Sequence, residues 1–212
     1  INDDYRYGVK MEREGEKVKR KVERLSSPLV DLSALVYVPL DFSSHGWNRA
    51  FVPQLEWEFS NNGFYDTSRG DYKYLNTITS SLQFYVMRES ARSGIFPKWG
   101  IGGIARWRNA IDGGENFGSM ASVNLYGYLP GVAPAHGLKL SLGIQRQNVE
   151  GKNYFMSNML NMPRGYDDVY GEDYFLCTAD YALPLYLGDI NVIRLVYLKR
   201  LQFIPFADFA IV

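Results

Sequence analysis

The stretch GLKLSLGIQRQ, residues 137–147, alternates without a break. Leu138, Leu140, Leu142 and Ile144 fall on one side of an extended chain, and Lys139, Ser141, Gly143, Gln145 and Gln147 on the other, because successive side chains of a strand point to opposite faces. Small and polar residues are an odd lining for a packed core and a natural one for a water-filled lumen. The run also exceeds the ~5–6 residues of an ordinary soluble strand and matches the ~9–11 that a tilted strand needs to cross hydrocarbon.

The same signature recurs. In PQLEWEF, residues 53–59, Leu55, Trp57 and Phe59 oppose Gln54, Glu56 and Glu58. Similar strands can be drawn at about residues 29–40, 74–87, 98–108, 117–128, 174–186 and 198–212, which makes about eight. The connections take turns in style. DFSSHGWNR, ESARSGIFP, YLPGVAPAH and YLGD are compact or rich in proline and glycine, whereas SNNGFYDTSRGDY, NAIDGGEN and the long segment 148–173 are mostly polar. Short turns at one end and long loops at the other are the habit of outer-membrane barrels. Trp47, Trp57, Trp99 and Trp107, with Tyr126, Tyr128 and Tyr181, fall near strand ends, where aromatic girdles meet the membrane interface. The expected fold is all-β, an antiparallel transmembrane β-barrel; the alternative is a soluble antiparallel barrel or sandwich with aromatics in its core.

Composition agrees. The chain of 212 residues carries 23 basic and 23 acidic side chains and no formal net charge, so nothing steers it to nucleic acid. Aromatic residues make up 15%, with 16 tyrosines, which suits a surface that meets an interface as well as water. A single cysteine, Cys177, excludes an internal disulfide and a cysteine-based metal cluster. No run approaches the ~18 apolar residues of a membrane-spanning helix, so any crossing must use strands. The start at Ile1, without a signal core, reads as a mature chain or a fragment. KMEREGEKVKRKVER, residues 10–24, is the only dense charge run and reads as a solvated loop or short exposed helix. Residues 1–28 are accordingly taken as a charged external loop or the end of a preceding strand, and 29–212 as barrel.

Catalytic chemistry finds little support. His45 and His136 each precede a glycine in a compact turn, without H-x-x-x-H or C-x-x-C spacing and without a G-x-S-x-G elbow. Neither an enzyme nor any cofactor or metal is expected. A barrel lipase, with a serine and a histidine turned toward lipid, stays as an alternative. The glycines of WGIGGIARW sit in a strand and are read as permitting curvature. DDVYGED, residues 167–173, is read as a flexible acidic loop rather than a calcium site. Arg106, Arg108 and Arg146 are expected at the lumen or its rim.

One arginine in NMPRGYDD, residues 161–168, needs a counter-charge. At the other end of the chain, FIPFADFAIV puts Asp208 on one face with Phe206 and Ala210, and Ala207, Phe209 and Ile211 on the other. If the second set meets lipid, Asp208 points into the lumen, where a carboxylate needs a partner.

The ordered pair of PRGY (Pro163–Tyr166) and FADFA (Phe206–Ala210) resembles the outer-membrane assembly and translocation superfamily of BamA, TamA and the two-partner secretion translocators. There a V-R-G-F/Y loop folds back into the barrel and its arginine meets the aspartate of an F-x-D-x-G strand. RSGIFPKWG, YGYLPGVAPAHGLKL and ADYALPLYLGDINVIRLVYLKRLQFIPFADFA are similar to the barrel region of large Bacteroidetes outer-membrane proteins of this type. The resemblance implies that Arg164 pairs with Asp208, that Gly165 permits the turn, that Tyr166 anchors the loop tip against the wall, and that Asp180 competes for the arginine. It also implies about eight strands of a sixteen-stranded barrel in a Gram-negative outer membrane, with membrane lipid and other membrane or periplasmic proteins as partners. The implied work is protein insertion or translocation. Rivals are a scaffold barrel and a passive porin or uptake channel. Pro163 and Ala210 depart from the motifs, and Ala182 stands where the family often has arginine. The ending on DFAIV without a turn reads as a fragment.

Overall fold

The computed structural model describes residues 7–14, 17–24, 30–66, 71–89, 95–112, 118–148, 156, 158–166, 171–192 and 196–212. The chain is all-β and antiparallel. Two strands, β1 (Tyr7–Glu14) and β2 (Lys17–Arg24), pair with each other. The other ten form one sheet: β3 (Asp31–Tyr37), β4 (Leu40–Asp41), β5 (Trp47–Asp66), β6 (Asp71–Arg88), β7 (Gly100–Asp112), β8 (Ser119–Pro130), β9 (Gly137–Asn148), β10 (Asp173–Val192), β11 (Val196–Phe203) and β12 (Phe206–Ile211). From β5 to β10 each strand pairs with the next in sequence; β3 and β4 flank β5, and β11 and β12 flank β10. No helix long and apolar enough to cross a membrane occurs among the described residues.

Two pairs of labels are single strands interrupted at a proline. Tyr37 opposes Gln54 and Leu40 opposes Phe51, with Val38 N–H donating to Pro53 O between them, so one register runs through Pro39. Likewise Phe203 opposes Leu183, Tyr181 N–H donates to Pro205 O, and Phe206 opposes Asp180. The sheet is open: β3/β4 and β11/β12 are its two edges, and among the described residues they do not pair with each other. Pro184 is tolerated because its missing N–H lies on the β9 side just past Gly137, where β9 begins opposite Ala182.

Strand faces follow the alternation, with an inverted polarity. On β9, Gln145 and Gln147 are 1% and 2% exposed, whereas Leu142 and Ile144 are 50% and 59% exposed. Cross-strand partners share a face, so the polar row continues through Thr77, Thr79 and Ser81 of β6, Ser122 of β8, and Asp180 and Asp208. The opposite face shows Leu55, Trp57, Leu82, Phe84, Ile101, Trp107, Val123, Leu125, Phe209 and Ile211 bare. Fully covering one such side chain is worth about 1.5–3 kcal/mol, so a face this apolar calls for an apolar cover.

Several expectations need correction. Within the charge run 10–24, residues 10–14 belong to β1 and 17–24 to β2, an antiparallel pair rather than a loop or helix. SNNGFYDTSRGDY is mostly strand, since β5 and β6 run on to Asp66 and from Asp71. YLGD is no turn either: β10 passes through it to Val192, with a register shift between Tyr186 and Ile190. Residues 113–116 of NAIDGGEN and 167–170 of DDVYGED lie outside the described residues.

Tyr126 and Tyr128 are on the polar face, not in an outward girdle, and lie edge to face at 5.8 Å. Their place is opened by β7, where Gly102 opposes Tyr126 and Gly100 opposes Tyr128. A Cβ on Gly102 would lie 2.6 Å from the Tyr126 ring, so this glycine serves close approach, beyond the curvature expected of it.

Candidate functional site: the loop on the polar face

The described residues of the β9–β10 connection, 156 and 158–166, lie on the polar face of the sheet. Two glutamines of β9 receive it. Gln145 Oε1 accepts the N–H groups of Met159 (2.7 Å) and Leu160 (3.2 Å), while its Nε2 donates to Asn158 Oδ1 at 2.7 Å. Gln147 Oε1 accepts Met156 N–H at 3.0 Å, and its Nε2 donates to Gly171 O at 2.6 Å. Arg106 Nη1 donates to Met159 O at 3.0 Å, and the Tyr174 hydroxyl to Asn161 O at 3.0 Å. Packing supports these bonds. Met156 buries against Met120, and Leu160 packs with Tyr174 and Leu176 over Gly143.

Beyond Asn161 the chain turns through Pro163-Arg164-Gly165-Tyr166. Gly165 has φ +87°, in the left-handed region that glycine enters without steric cost, and Tyr166 N–H donates to Pro163 O at 3.2 Å. Arg164 is held by two carboxylates at once. Asp208 Oδ2 accepts both the Arg164 N–H and Nε–H at 2.9 Å, and Oδ1 accepts from Nη2 at 2.9 Å. Asp180 Oδ1 accepts from the same Nη2 at 2.5 Å. The guanidinium carbon sits 3.8 Å above the centre of the Phe206 ring, a cation–π contact that complements the forked ion pair. Hydrogen bonding to Asp208 raises the Arg164 guanidinium above its ordinary pKa, against the opposing effect of desolvation, so it stays charged.

The structure thus brings Arg164, Asp208, Asp180 and Phe206 together, with Pro163 and Gly165 shaping the turn. Asp180 and Asp208 do not compete; they share the arginine. Parity explains it, because Thr178 opposes Asp208 and Asp180 opposes Phe206 on one face. Tyr166 is 74% exposed in the open sheet, and with Met162, Pro163, Tyr174, Asp208 and Ala210 it lines a half-open cleft of about 280 Å³ beside β12.

The remaining candidates fall elsewhere. Arg108 lies on the polar face, where its Nε donates to Thr79 Oγ1 at 3.1 Å and its Nη2 is 4.0 Å from Glu58. Arg146 shares the parity of Ile144, is exposed, and approaches Asp173 at 3.5 Å. His136 Nδ1 is 3.1 Å from the Tyr181 hydroxyl, which also accepts Val132 N–H at 3.0 Å, and Lys98 Nζ donates to the carbonyls of Pro134 and His136. His45, at φ +51°, forms the β4–β5 turn with Gly46 at φ +75°. Among the described residues no three His, Cys, Asp or Glu side chains converge as a metal ion requires.

Sequence reasoning puts Gln145 and Gln147 in a lumenal row but misses what they hold. The available signal is a pair of amides at i and i+2 facing a long connection. Comparison of the chain with protein-family models, curated proteins and solved structures found no match.

Proposed function

We propose that this chain is part of a transmembrane β-barrel in a Gram-negative outer membrane, of the kind that inserts or translocates polypeptides, and that the PRGY loop braces its lumen. One observation carries the reading: the apolar rows are bare while polar side chains of the other face, Thr77, Ser122, Gln145 and Gln147 among them, are buried, the two glutamines under a loop whose Arg164 is pinned to Asp208. Water penalises such a distribution; hydrocarbon outside and a hydrated lumen inside favour it. The two open edges then need strand partners, because unpaired backbone groups are not tolerated in lipid. Barrel lipid and other membrane or periplasmic proteins are the proposed partners, and the loop bears on the polypeptide rather than on any bond it breaks.

The test is reconstitution of the native protein in lipid vesicles with an unfolded outer-membrane barrel as client. Accelerated insertion or passage of the client, lost in both Arg164→Ala and Asp208→Ala, is the expected result. Steady ion conductance without any client effect would replace this reading with a passive channel.

A further inference from the structure

The contacts of the loop divide it into two parts of different chemistry. Residues 156 and 158–161 are held mainly by neutral groups out of water, Gln145 and Gln147 at 1% and 2% exposed and Tyr174 at 2%, with one charged donor, Arg106 Nη1, on Met159 O. Five bonds of these three side chains run to Met156 N–H, Met159 N–H, Leu160 N–H, Asn158 Oδ1 and Asn161 O, and a sixth, from Gln147 Nε2, to Gly171 O beyond the tip. Met162 still packs on Leu160, Tyr174 and Leu176, whereas residues 163–166 are held differently, through an arginine whose side chain is 43% exposed against carboxylates that are 15% and 6% exposed.

We infer that Gln145 and Gln147 are positioning residues that fix a stem of the loop independently of the ion pair, leaving the PRGY tip as the releasable part of its described residues, hinged after Met162. A buried amide that loses its partner cannot turn to water for another, so the stem opens only with its surroundings. The tip has that choice. Water and salt reach the guanidinium and compete for it. Shape reinforces the division, since Leu160 lies over Gly143, where a Cβ would come within 2.9 Å of Leu160 Cδ1. No step here depends on lipid or on a client, so the inference stands apart from the proposed function.

Amide hydrogen exchange on the full chain in detergent micelles tests it. Gln145→Leu removes the acceptor, and exchange at Met159 and Leu160 should rise about tenfold or more while the backbone amides of β8, β9 and β10 hold their rates. Gln145→Glu keeps an acceptor oxygen for both N–H groups and should restore protection there. A loss of general stability would not be rescued in this way. Asp208→Ala, which removes the acceptor of Arg164 N–H, should free that amide and leave Met156, Met159 and Leu160 protected. Should Gln145→Leu fail to fold, Gln147→Leu reads the same latch through Met156 alone. Release of the stem amides by Asp208→Ala, or unchanged stem exchange in the Gln145→Leu or Gln147→Leu chain, would overturn the division.

Discussion

The two rows of β9 share one backbone and opposite fates. Ser141, Gln145 and Gln147 are covered and make side-chain hydrogen bonds, to Asn124, to the loop and to Gly171; Leu140, Leu142 and Ile144 touch little beyond their strand neighbours and stay bare. In a water-soluble sheet the rows would trade places, because burying a polar group costs unless it is bonded and baring an apolar one forfeits transfer energy. The difference teaches that this sheet is organised from its polar side. Specific bonds give the covered face its arrangement, and the bare face makes no comparable set of bonds among the described residues.

The largest test of that contrast puts a charge in the apolar row. Leu142→Arg should destabilise the protein in lipid by about 2–4 kcal/mol, as charges on the lipid side of barrels do, while Lys139→Arg on the polar row is neutral. Unfolding from vesicles measures both, and a neutral Leu142→Arg would mean that this face does not meet hydrocarbon. Next comes the ion pair. A double-mutant cycle of Arg164→Ala and Asp208→Ala should return a coupling of about 1.5–2 kcal/mol, discounted for the exposed arginine, with the double mutant no worse than either single; full additivity would dissolve the pair. Gly165→Ala is smaller, about 1 kcal/mol, because alanine resists the left-handed region that φ +87° requires; a free substitution would show that the tip does not need this turn. Smallest is Arg146→Gln. Both partners of its ion pair are largely exposed, so salt-dependent melting should hardly distinguish the variant from the parent.

Period-2 alternation is readable wherever a strand has two unlike faces, which is why β9 and the apolar half of β5 stand out from their residues alone. It fails at the far end of β5, where residues 60–66, SNNGFYD, do not alternate, and in YLGD, whose glycine suggests a turn that β10 does not make. Parity by itself places Asp208 and Phe206 on one face, and the strand pairing keeps them there. Proximity to a strand end misplaces Tyr126 and Tyr128, since parity and the facing Gly102 and Gly100 decide their side. The amides of Gln145 and Gln147 are visible as a row. Their targets are not, because a hydrogen bond to a backbone group 9 to 24 residues onward leaves no trace in side-chain type.

The prolines at the two margins of the sheet make those margins unequal. Val38 N–H points into the sheet, toward Pro53 O, so the neighbouring ring of Pro39 occupies an outward slot and interrupts the donors offered there. At the other margin Pro205 faces inward, opposite Tyr181. The outward slots of Gln202, Ile204, Phe206, Asp208 and Ala210 all keep their N–H groups. A strand arriving along β11/β12 can zip without a missing tooth, whereas one joining β3/β4 meets a gap at Pro39. A seam closed on the β3/β4 side would therefore have one backbone donor fewer, at Pro39.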